Sequence, residues 1–98
     1  MCDGYYVLEG TTPVPCKDVI SWASWCRRSE RTVRKTRIGA DVLVSTVFLG
    51  LDHRFGRQGP PLLFETMIFG GPHDGDMWRS ATWEDAEKGH EEVVALIN

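Results

Sequence analysis

Val42 to Leu51 reads VLVSTVFLGL, and Leu62 to Phe69 reads LLFETMIF. Both runs concentrate Val, Leu, Ile, Phe and Thr without a proline, which is the composition of strands from the middle of a sheet. Neither shows the three- and four-residue spacing of an amphipathic helix. They are joined by Asp52-His53-Arg54-Phe55-Gly56-Arg57-Gln58-Gly59-Pro60-Pro61, about ten residues where hairpin loops ordinarily use two to five. Two central strands with an unusually long connection are therefore expected.

Upstream, Thr32 to Ile38 is rich in Thr, Val and Arg and reads as a polar edge strand whose charges discourage edge-to-edge pairing. Before it, Val19, Trp22, Ala23 and Cys26 recur at helical spacing with Ile20 beside them. This predicts a helix over about 15–30, with Pro15 in its first turn and Arg27 and Arg28 in its last, where the helix dipole favours cations. Residues 4–9 suit a first short strand, ended by the Thr-Thr-Pro-Val-Pro break.

Downstream, 70–76 is a turn by composition and Met77 to Ala81 a final short strand. Thr82 followed by Asp85 resembles a capping box, opening a helix over about 83–97. Trp83, Ala86, His90, Val93, Val94 and Ile97 line one face of it, and Gly89 costs ~1 kcal/mol relative to Ala in its middle. The expected fold is α+β: a mainly antiparallel sheet of about five strands with two helices packed on one face, in the order β-α-β-β-β-β-α.

The 98 residues amount to one small domain. No basic, apolar leader opens the chain, and the longest mostly apolar stretch is about half the ~20 residues a membrane helix needs. Cys2, Cys16 and Cys26 are odd in number and show no Cys-x-x-Cys pair. A cytoplasmic protein without a membrane segment is expected. The glycine patterns that cradle nucleotide phosphates are absent, His53, His73 and His90 lack ligand spacing, and the Asp74-Gly75-Asp76 turn fails as a calcium loop. No metal and no cofactor is implied.

Charge is unevenly spread. Residues 27–37 hold Arg27, Arg28, Arg31, Arg34, Lys35 and Arg37 against Glu30, a balance of +5, and residues 74–92 carry seven acids against Arg79 and Lys88, a balance of −5. The net charge of −3 is the near-cancellation of a basic patch and an acidic end. The basic segment has no interleaved aromatic, so nucleic acid is a possible partner but not the favoured one.

The long connection offers binding chemistry. Arg54 and Arg57 can hold an anion, Phe55 can stack or insert, and Asp52, His53 and Gln58 add polar contacts. Asp52 next to His53 permits an acid-base reading, but adjacent residues on an extended chain point apart, and a turn-initiating Asp is the more economical account. Glu65 interrupts an apolar strand. On the face of Leu63, Met67 and Phe69 it would be half-buried and pair with an arginine from the basic segment; on an open face it would be solvated.

The run from Val44 to Gly56, continued from Gly59 to Gly70, resembles a group of small uncharacterised proteins encoded by bacteriophages and prophages. The likeness extends to Tyr6–Gly10, the Pro-Val-Pro segment and Trp83–His90, with a more basic loop at Arg54, Arg57 and Gln58. The resemblance implies a context: a small phage accessory protein that inhibits a host defence system by binding a host protein complex or a nucleotide signal. A non-catalytic binding protein, acting through the 52–61 loop with the basic 27–37 segment or the acidic C-terminal helix on a target such as a CRISPR effector or a nucleotide signal, is therefore the leading expectation. The alternatives are a small enzyme acting on a phosphate-bearing substrate with His53 as acid-base, and a homo-oligomer assembled through complementary charges.

Overall fold

The computed structural model describes residues 4–52 and 59–98. Six strands and two helices follow in the order β1 (Tyr6–Glu9), β2 (Thr12–Pro15), α1 (Val19–Arg28), β3 (Thr32–Ile38), β4 (Val42–Phe48), β5 (Phe64–Phe69), β6 (Met77–Ser80) and α2 (Trp83–Ile97). The fold is α+β, with β3-β4-β5-β6 forming an antiparallel sheet and β1-β2 a separate hairpin. The two apolar runs lie at the sheet centre, with Phe48 opposite Phe64 and Leu43 opposite Phe69. The basic strand lies at an edge.

Two expectations change. The Thr-Thr-Pro-Val-Pro stretch is a strand rather than a break, so six strands in two sheets replace one sheet of about five. Cys16 N donates to Tyr5 O at 2.8 Å, and alternation makes Thr12, Val14 and Cys16 the residues that face β1 with their N–H groups. Pro13 and Pro15 fall on the outward positions, where a missing N–H breaks no ladder bond. Pro15 and Cys16 consequently lie outside the helix. α1 starts instead at the cap Asp18, whose Oδ1 accepts from Ser21 N at 2.7 Å, and these bonds hold the Asp18 carboxyl below its ordinary pKa.

Both helices serve one face of the four-stranded sheet. α2 packs against all four strands, and its cap is the expected one: Asp85 N donates to Thr82 Oγ1 at 3.0 Å. α1 reaches the same side through Trp25, whose ring meets Phe48 edge-on at 5.7 Å. Trp25 thus joins the expected stripe of α1, whereas Ile20 is 80% exposed.

The hairpin is tied down beside α1. Tyr6 N donates to Gly50 O at 2.7 Å and Asp52 N to Gly4 O at 2.8 Å. Gly50 has φ +74, and a Cβ there would stand 2.9 Å from Tyr6 O and 2.8 Å from the Trp22 indole nitrogen. Only glycine lets the chain leave β4 this close to the hairpin.

The core has two apolar clusters. Phe48, Leu63, Phe64 and Ala86 form one, with Tyr6, Leu8, Trp25 and Trp83 around it. Val44, Ile68 and Val93 form the other, with Ile38, Val42, Val94 and Ile97. Between them, Thr46 and Thr66 sit opposite each other under His90, a buried polar layer.

Candidate functional site

Side chains alternate across a strand, so the residues between those that meet the helices turn to the other face of the sheet. The register sets them in three rows: Arg37, Leu43 and Phe69; Lys35, Ser45, Met67 and Met77; and Val47, Glu65 and Arg79. α2 meets the strands through Val93 and His90 on the opposite side, and the end of α1 reaches these rows at Val47, which lines a pocket with Cys26 and Ser29. Antiparallel sheets covered on one face ordinarily turn polar residues to the open one. Here Leu43 and Phe69 in one row adjoin Met67 and Met77 in the next; Phe69 and Met77 are 47% and 45% exposed, Leu43 and Met67 are half-buried, and Ser45 between them is buried.

Glu65 lies on this face with Met67 and Phe69 and is half-buried, whereas Leu63, expected beside them, is in the core with Phe48 and Phe64. Its partner is Arg79 from β6, not an arginine of the basic segment: Nε and Nη2 of Arg79 both lie 3.2 Å from Glu65 Oε2. The two sit directly across from each other in the β5–β6 ladder, so the pairing is a product of register. The pair is neutral as a unit, which leaves Lys35 and Arg37 as the exposed cations at one rim of the apolar surface.

The basic segment divides between surfaces. Arg27 and Arg28 are exposed in the last turn of α1. Arg31 is half-buried and donates to Phe48 O at 3.4 Å. Arg34 reaches over the helix side and pairs with Glu91 at 2.8 Å. Only Lys35 and Arg37 border the open face.

Of the long connection, Asp52 is described: its Oδ1 accepts from Leu62 N at 3.3 Å, closing the base of the 52–61 segment. This is the turn-closing role. His53, Arg54, Phe55, Arg57 and Gln58 lie outside the described residues.

Among the described residues one imidazole, that of His90, is buried, and its environment is structural. His90 is 1% exposed, with Nδ1 2.8 Å from Thr46 Oγ1 and Nε2 2.8 Å from Thr36 Oγ1. Burial pulls its pKa below the ordinary histidine value, helped by Arg34 and opposed by Glu91. Both ring nitrogens are occupied and no substrate reaches them. Burial likewise pushes the Cys26 thiol up, away from the thiolate a nucleophile needs. Among the described residues, no group of three or more His, Cys, Asp or Glu side chains converges as metal ligands do, and no helix is long and apolar enough to cross a membrane.

In the sequence Leu43, Met67, Phe69 and Met77 are ordinary strand residues with no chemistry that marks a site. The signal was there in β4 and β5, which are apolar at both odd and even positions although two helices can cover only one face. No family model, no curated protein and no solved structure matches the chain.

Proposed function

We propose that the chain is a non-catalytic binding protein that seats a protein partner on the open face of the β3-β4-β5-β6 sheet. The observation that carries this reading is the apolar surface of Leu43, Met67, Phe69 and Met77, bordered by Lys35 and Arg37. An apolar patch rimmed by charge is the common signature of a protein interaction site. The complementary partner surface is apolar at its centre and acidic at its rim, with Phe69 and Met77 as the anchors that lose most water on contact. Aromatic and methionine side chains are the types enriched at such centres.

The occupied ring of His90 and the raised Cys26 pKa support binding over catalysis. The likeness of residues 44–70 to phage accessory proteins directs the search for the partner to host defence complexes, and a captured nucleotide signal is the alternative occupant.

The test is affinity capture from a bacterial lysate with the wild type, Phe69→Asp and Ile20→Asp, the last an exposed helix residue away from the face. A protein retained by the wild type and Ile20→Asp but lost from Phe69→Asp supports the reading. Identical captures by all three, with folding intact by circular dichroism, refute it, as does calorimetry that finds only a nucleotide bound.

A further inference from the structure

A second surface lies on the helix side of the sheet, at the β6 edge. Trp78, Gly89, Glu92, Val93 and Leu96 line a groove of about 270 Å³ between β6 and α2. That is just below the ~300–1,000 Å³ of small-molecule pockets, a size suited to one side chain. Trp78 pairs with Thr66 and so points to the helix side, yet its indole remains 41% exposed. Trp78 lies on the edge strand β6, and Gly89 adds no side chain to the groove beside it.

Packing does not require that glycine. A Cβ at Gly89 would meet nothing within 4 Å, and the residue is not in the left-handed region. Glycine inside a helix lowers its stability relative to alanine, so the fold alone would be better served by alanine. What glycine provides is an open floor beside the indole. Asp85, Gly89, Glu92 and Leu96 follow at four-, three- and four-residue spacing and therefore share one stripe of α2. The groove thus combines an aromatic face, the Glu92 carboxylate and an apolar wall of Val93 and Leu96. Lys88, four residues before Glu92, is the neighbouring cation.

We infer that this groove is a docking site for an arginine side chain presented by a basic segment of a partner protein. The guanidinium stacks on the Trp78 indole and donates to Glu92, while its methylene stem lies along Leu96 and Val93. Charge complementarity identifies the occupant, since the charged residue among those lining the groove is the acid Glu92, set beside the Trp78 indole. The site is independent of the open sheet face and lies on the other side of the sheet.

The probe is a capped Gly-Gly-Arg-Gly-Gly peptide, with Gly-Gly-Gln-Gly-Gly as control, titrated into labelled protein while amide and indole N–H resonances are followed. The Trp78 indole is assigned from its loss in Trp78→Phe. Saturable shifts at Trp78 and Gly89 are expected in the millimolar range with the arginine peptide alone. Glu92→Gln weakens binding about tenfold and Gly89→Leu abolishes it. Gly89→Ala supplies the check on folding: it raises Tm by about 4 °C while weakening the peptide. Phe69→Asp leaves these shifts unchanged, which separates this site from the sheet face. Equal shifts with both peptides, or shifts that survive Gly89→Leu, overturn the proposal. A salt-sensitive increase in wild-type mass that Gly89→Leu removes also overturns it, because the occupant is then the 27–37 segment of a second copy.

Discussion

His90 Nδ1 lies 2.8 Å from Thr46 Oγ1, and Thr46 Oγ1 lies 2.6 Å from Thr66 Oγ1, so one imidazole on α2 clamps both central strands. Its other nitrogen holds Thr36 of β3 at 2.8 Å. A slip of β4 or β5 by one residue would turn these threonines to the open face and leave the imidazole against apolar side chains, so the polar layer specifies register. His90→Leu removes the acceptor and donor that Thr36 and Thr46 use and is expected to cost about 1–3 kcal/mol in urea unfolding. Adding Thr46→Val to His90→Leu costs less than Thr46→Val costs alone, a coupling that a double-mutant cycle reads directly.

The same histidine makes stability fall in mild acid. Its folded pKa is depressed below the ordinary value of 6.5, chiefly by burial. Above about pH 6.5 the ring is neutral in both folded and unfolded chains and contributes no pH dependence. Below that pH the unfolded chain binds a proton the folded one resists, so stability declines until the folded pKa is reached. Urea midpoints measured from pH 8 to pH 5 should drop for the wild type relative to His90→Gln. Parallel profiles would show that the ring is not held neutral.

Gly50→Ala tests the junction between β4 and the hairpin. The positive φ and the close Tyr6 O and Trp22 neighbours predict a loss of about 2 kcal/mol or more, read as a lower Tm. Gly10→Ala has the same backbone strain, at φ +64, but meets nothing within 4 Å. The smaller loss expected there separates crowding from backbone strain.

Glu65 and Arg79 are half-buried, with side chains 15% and 26% exposed. Removing one partner leaves the other charge with little solvent, so Arg79→Leu should cost about 1–2 kcal/mol. The double variant Glu65→Leu with Arg79→Leu should recover most of that loss, because apolar pairs replace such ion pairs at little net cost. Chemical unfolding of the three variants checks this. A double variant no more stable than Arg79→Leu alone would contradict it.

The strands β3 to β6 and the helix α2 were legible because each carries a local cue that agrees with its place in the fold: alternation in Thr32–Ile38, continuous apolar runs in β4 and β5, and the Thr82 cap. β2 was hidden because prolines read as breaks, and whether Pro13 and Pro15 face outward depends on the partner strand, which sequence does not display. The Glu65–Arg79 pair needed the β5–β6 register, set by the turn over 70–76. The open face was hidden for a different reason. Each of its residues is unremarkable alone, and only the positions of α1 and α2 reveal which of two apolar faces stays uncovered.

Methionine methyl resonances give the most direct test of the open-face account, since two of the three methionines, Met67 and Met77, lie on that face. With the captured partner added to methyl-labelled protein, the Met67 and Met77 signals should shift or broaden, while the methyls of Val93 and Ile97 beneath α2 stay in place. Unperturbed Met67 and Met77 signals in a sample where the partner is demonstrably bound would contradict the account.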